Sequence, residues 1–137
     1  MTQNVSTTRL SEDAVAIWRA GVKAVDAAQL VRKAVRVEDE ILKIAGKAIP
    51  IDSIGKLVVV GAGKAGAGMA AGFEEAVAAS NLGQKLSGWI NVPADCLRPL
   101  SHIHLHAARP AGVNEPTAEG VAGSEQILQR VAHLGSE

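Results

Sequence analysis

Tyrosine is absent from this 137-residue chain, and Trp18, Phe73 and Trp89 are its only aromatic residues. A core without aromatics is built from Ala, Val, Ile and Leu, which suits helices packed closely on a parallel sheet. Hydrophobic residues still make up 47% of the chain, enough for a sizeable core in one domain. Charge of one sign is also missing: fourteen basic and fourteen acidic residues cancel. With no basic stripe interleaved with aromatics, nucleic acid is excluded as a partner. Cysteine occurs once, at Cys96. That excludes an internal disulfide framework and fits a reducing cytosol. Apolar runs long enough to span a bilayer are lacking, and the opening MTQNVSTTRLSED has no signal-peptide pattern. The expectation is a cytoplasmic α/β chain without a membrane partner.

Residues 1–10 are polar and read as a flexible arm. Ser11 followed by Glu12 and Asp13 reads as a helix cap with acids in the first turn. Val15, Trp18, Val22 and Val25 recur at helical spacing, which predicts a buried stripe on a helix running to about Ala24. Asp26 is placed to cap a second helix over 27–34. Ile41–Ile44 and Ala48–Ile51 flank Ala45-Gly46-Lys47 as a β-hairpin, with Pro50 confining its second arm to an edge. Beyond it come a buried strand at Lys56–Val60, a helix from Lys64 to about Ser80, a strand at Leu86–Val92 and a third near Ser101–Ala107. A last helix runs from Pro116 or Thr117 to His133, with Val121, Ile127, Leu128 and Val131 on its apolar side. The order predicts a Rossmann-like, doubly wound, mainly parallel sheet over residues 11–137, preceded by a helical segment and a hairpin. A sheet that stops on a helix reads as part of something longer.

The densest signal is Val58-Val59-Val60-Gly61-Ala62-Gly63-Lys64-Ala65-Gly66. A strand here runs into a glycine turn and then a helix, which brings backbone N–H groups against an anion. The spacing G-x-G-x-x-G invites a dinucleotide reading, but that needs an acid roughly 20 residues on, at the end of the second strand. The second strand, Leu86–Val92, offers none before Asp95. A phosphate-binding P-loop fails as well, because Val58 stands where a glycine is required and Ala65 where Ser or Thr would hold magnesium. What remains is a compact site for a small carboxylate or phosphoryl group. Gly61, Ala62, Gly63, Ala65 and Gly66 supply backbone, and Lys64 adds a full positive charge. Gly68, Ala70, Ala71 and Gly72 are read as letting the following helix lie tight on the sheet, and packing alone is the competing explanation for all the glycines.

Arg109 and Asn114 lie after the third strand, at the carboxyl edge where α/β ligands gather, and are candidates for an anion and a hydroxyl. His102, His104 and His106 alternate and would share one strand face, yet no carboxylate or cysteine completes a metal set, so no metal is assigned.

The glycine–lysine run followed by Met69-Ala70, together with Trp18-Arg19-Ala20-Gly21-Val22-Lys23-Ala24-Val25-Asp26 upstream, resembles the N-terminal domain of ATP-dependent glycerate 2-kinases. Members of that family end in a MOFRL domain and are often labelled hydroxypyruvate reductases. Two departures are visible: Ala27 replaces the usual proline, and Arg109-Pro110 stands where the family carries a His-Pro-type turn. The resemblance implies phosphorylation of the 2-hydroxyl of D-glycerate to 2-phosphoglycerate with ATP and Mg2+. It implies Lys64 as the residue important for phosphoryl transfer, and a C-terminal domain carrying the nucleotide site, without which this chain is inactive. An NAD(P)H-dependent hydroxypyruvate reductase and a non-enzymatic anion-binding module are the alternatives, and a homodimer stays open.

Overall fold

The computed structural model describes residues 3–135, with side chains from Thr7 onward. Five helices and six strands follow in the order α1 (Gln3–Ala24), α2 (Ala27–Ala34), β1 (Val35–Glu38), β2 (Ile41–Ile44), β3 (Lys47–Pro50), β4 (Leu57–Ala62), α3 (Gly66–Val77), α4 (Leu82–Lys85), β5 (Leu86–Pro93), β6 (Ile103–Arg109) and α5 (Ala118–Ala132). The α/β, Rossmann-like reading holds. Strands β4, β5 and β6 form a parallel sheet in that order, and β1, β2 and β3 form a separate antiparallel sheet. Side chains alternate across a strand, so Ile90 of β5 meets α3 while Trp89 and Asn91 face α5 on the opposite side. Each face of the parallel sheet therefore carries a helix.

Local chemistry explains most boundaries. The Asp26 carboxylate accepts the Gln29 N–H at 2.8 Å and opens α2, as its sequence position predicts. Thr117 does the same for α5 through Gly120 N–H at 3.0 Å. The Ala45-Gly46 turn has both residues at positive φ, the twist a two-residue hairpin requires. Strand β1 was not legible, because it follows α2 without a break; Asp39 and Glu40, also at positive φ, turn it into β2. The main core lies between α3, the hairpin sheet and one face of the parallel sheet, where Leu42, Ile51, Ala70, Val77, Leu82 and Val92 are fully enclosed.

Four expectations need correction. Helix α1 starts at Gln3 rather than Ser11, so residues 3–10 are helical; residues 1–2 lie outside the described residues. No Pro or Gly interrupts that stretch, and the Ser11 hydroxyl donates back to the Thr7 carbonyl at 3.1 Å instead of capping. The stripe of Val15, Trp18, Val22 and Val25 is exposed, not buried. On α5, Val121, Leu128 and Val131 are likewise exposed, because the side facing the sheet is the one carrying Gly123 and Arg130. Finally, Gly68 and Gly72 of α3 face α2 and not the sheet. A Cβ at Gly72 would lie 2.5 Å from the Ala28 carbonyl oxygen, so glycine is what lets the two helices touch.

Candidate functional site

Strand β4 ends at Ala62, and the chain turns at Gly63 with φ +130°, a conformation that L side chains rarely adopt. The Gly63 N–H donates to the Asn91 carbonyl at 2.9 Å, and the Gly63 carbonyl accepts Gly66 N–H at 3.0 Å. Those two bonds hold the turn between β5 and the opening of α3. Gly66 is required for closeness: a Cβ there would lie 2.6 Å from Ile90 Cγ2. The glycines at 63 and 66 thus have different physical duties, one conformational and one steric. A helix leaves its first N–H groups without intrahelical acceptors, so the start of α3 presents positive charge beside this turn.

Lys64 lies in the turn, two positions before α3 begins, rather than within its first turn. Its side chain is exposed and enters no ion pair among the described residues. A cavity of about 390 Å³ opens beside it, walled by Val31 of α2, Met69 and Phe73 of α3, and the Gly61–Gly66 backbone. Its walls are mainly apolar, so cationic and N–H groups are concentrated at the turn.

A second cavity, about 680 Å³, lies across the carboxyl ends of the parallel strands and contains Arg109, Asn114, Glu115 and Thr117. Ala62 and Gly63 line both cavities, whereas Lys64 lines the first and Arg109 and Asn114 the second. The structure therefore divides the predicted residues into two groups that share the turn as a partition. Arg109 Nη1 donates to the Val113 carbonyl and, at 2.7 Å, to Asn114 Oδ1, tying its own loop together. At the opening of α5, Glu119's own N–H is the chief cause holding its carboxyl below the ordinary range.

Asn91 and Glu74 were not singled out from the sequence, and Thr117 was named only at the helix start. Asn91 is a buried polar residue level with Ala62; its carbonyl holds Gly63 and its Oδ1 accepts Trp89 Nε1–H at 3.0 Å. Strand β5 runs to Pro93 without an acid, and Asp95 beyond it lines neither cavity. Thr117 donates to the Ala108 carbonyl at 2.6 Å, reaching it at the register slip between β5 and β6. Glu74 accepts the N–H groups of Ser101, His102 and Ile103 at 2.7–2.9 Å and so fixes the entry of β6. A polar residue inside an apolar strand was a usable signal for Asn91. Glu74 gave none, its partners being far along the chain.

Of the alternating histidines, His104 and His106 share a strand face as expected and His102 does not. His104 and His106 stack beside Trp89, at centroid distances of 4.2 and 5.2 Å, under Arg130 of α5 at 4.6 Å. His102 precedes β6 and its backbone is taken by Glu74. Among the described residues no three His, Cys, Asp or Glu side chains converge on a metal-sized site, and no helix is long and apolar enough to cross a membrane.

Residues 13–137 match the family described as a domain of unknown function, DUF4147. The chain belongs to this family. Among solved structures, the DUF4147 chain is similar to the crystal structure of the PH0495 protein from Pyrococcus horikoshii OT3, with TM-score 0.63 and 23% identity over 91% of this chain. That likeness concerns the fold. The chain spans 26% of the length of that structure. A search of curated proteins finds no match.

Proposed function

We propose that this chain is the N-terminal part of a glycerate 2-kinase, supplying half of the site that holds D-glycerate while ATP phosphorylates its 2-hydroxyl. Membership of DUF4147, the N-terminal domain of glycerate 2-kinase-type proteins, supports the class of protein. The observation that carries the site is Lys64: an exposed cation without an ion-pair partner among the described residues, at a turn whose backbone also opens a helix. Lys64 adds a full positive charge just ahead of the opening of α3, whose dipole favours an anion there. In this reading the Lys64 ammonium and the N–H groups of Lys64 and Ala65 receive the substrate carboxylate or the charge building on a transferring phosphoryl group, while the N–H groups of Gly63 and Gly66 are spent on holding the turn. Arg109 and Asn114, across the Ala62-Gly63 partition, form a second polar edge.

ATP and Mg2+ belong to this reaction, but the described residues do not assemble a carboxylate set for the ion. We assign the nucleotide and metal to the remainder of the longer protein and route no step through them here. The alternative hydroxypyruvate reductase is less well supported, since β5 carries no acid to hold a ribose hydroxyl. The test is a steady-state assay of the full-length protein with glycerate and ATP, and with hydroxypyruvate and NADH, for wild type and Lys64→Ala. Glycerate-dependent ADP release that falls on substitution supports the reading; NADH oxidation alone overturns it.

A further inference from the structure

Helix α1 is 22 residues long, and every residue from Thr7 to Ala24 is exposed. It carries large apolar side chains in the open: Trp18 is 67% and Ile17 73% exposed, with Leu10, Val15 and Val22 beside them. Helices take most of their stability from burying an amphipathic face, so this face calls for a partner. At 100° per residue, Val15, Trp18 and Val22 share one side with Ser11, Ala14 and Gly21; Leu10 and Ile17 flank it on one edge, Glu12 and Arg19 on the other, and Arg9 and Lys23 lie farther round.

We propose that α1 pairs antiparallel with α1 of a second copy of this chain. The charge order carries the choice of occupant. Glu12 and Asp13 precede the helix midpoint, whereas Arg19 and Lys23 follow it, and none of the four has an ion-pair partner among the described residues. Glu12 and Arg19 are seven residues apart, two turns, and therefore lie on the same edge of the apolar side. A two-fold axis crossing near Ala16 sets Glu12 of each copy beside Arg19 of the other, twice over. A parallel pair would instead set acid against acid. Trp18 then comes level with residues 13 and 14 of its partner, where the small Ala14 lets the backbones approach. Arg9 and Lys23 meet only at the ends, where salt water screens them. The acids within the polar side also set this helix apart from one that lies on an anionic membrane.

Sedimentation velocity over a concentration series tests the pairing. Wild type is expected to show a monomer–dimer equilibrium and Trp18→Glu to remain monomeric, with unchanged far-UV circular dichroism at matched concentration apart from α1. Glu12→Arg raises the dimer dissociation constant by about tenfold or more, as expected for two lost ion pairs and new like-charge contacts. The double reversal Glu12→Arg with Arg19→Glu restores it, which a merely misfolded variant would not do. A wild type that stays monomeric overturns the proposal, as does a dimer indifferent to Trp18→Glu or a double reversal that fails to recover. Monomers that cosediment with phosphatidylglycerol vesicles would also overturn it, in favour of a membrane face.

Discussion

The N–H of Gly63 and the carbonyl of Asn91 meet at 2.9 Å, fastening the apex of the glycine turn to the neighbouring strand. The turn it fastens lines both cavities, and Lys64 is the residue that follows Gly63. The functional consequence is positional: an anion that meets the turn meets backbone already set in place.

Lys64→Ala in the full-length protein is expected to lower kcat/KM for glycerate by about a hundredfold or more, the usual effect of removing one group aimed at developing charge. Because the side chain is exposed, the melting temperature should stay within a degree or two of wild type, by the usual size of surface substitutions. Equal kcat/KM for the two proteins would remove Lys64 from the reaction.

Gly63→Ala tests conformation without crowding, since a Cβ there meets nothing within 4 Å. The φ of +130° alone should cost about 1–2 kcal/mol, read by urea unfolding. Gly55→Ala, with neither a positive φ nor a neighbour within 4 Å, serves as the neutral comparison.

Gly72→Ala should destabilise by steric means instead. Its Cβ would lie 2.5 Å from the Ala28 carbonyl oxygen and 2.8 Å from Ala28 Cα, both backbone atoms. Moving α2 away from α3 should cost about 1–3 kcal/mol, seen as a lower urea midpoint. A variant as stable as wild type would mean that α2 shifts freely.

Glu74 gives a pH signature. Burial opposes its charge, but the N–H groups of Ser101, His102 and Ile103 and the nearby His102 outweigh that and hold its pKa below the ordinary value. The carboxylate therefore stabilises the fold above the unfolded-state pKa, about 4.3, and that stability is lost as pH falls through the lower folded-state pKa. Glu74→Gln should lose about 1–2 kcal/mol at pH 7 by weakening three charge-assisted bonds. Its urea midpoint should then fall less steeply than wild type between neutral pH and pH 3. Parallel pH profiles would show that Glu74 is not tuned by its donors.

What the sequence determined by itself is what short-range forces settle. Asp26 and Thr117 mark their helices because a cap bonds to an N–H three residues away. Ala45-Gly46 marks its hairpin through positive φ, and Val58–Gly66 marks a strand, a turn and a helix through β-branching followed by glycine. Which face of an element is buried depends on partners far along the chain, and there the tertiary structure decided. Helical spacing alone assigned Val15, Trp18 and Leu128 to the interior; the fold leaves them outside. Gly68 and Gly72 could have faced sheet or helix until α2 took that side. Arg109 was a free anion ligand in the sequence and is a staple for its own loop in the fold. Periodicity reports that a face is apolar, but burial is a property of two surfaces, and the second surface is not written beside the first.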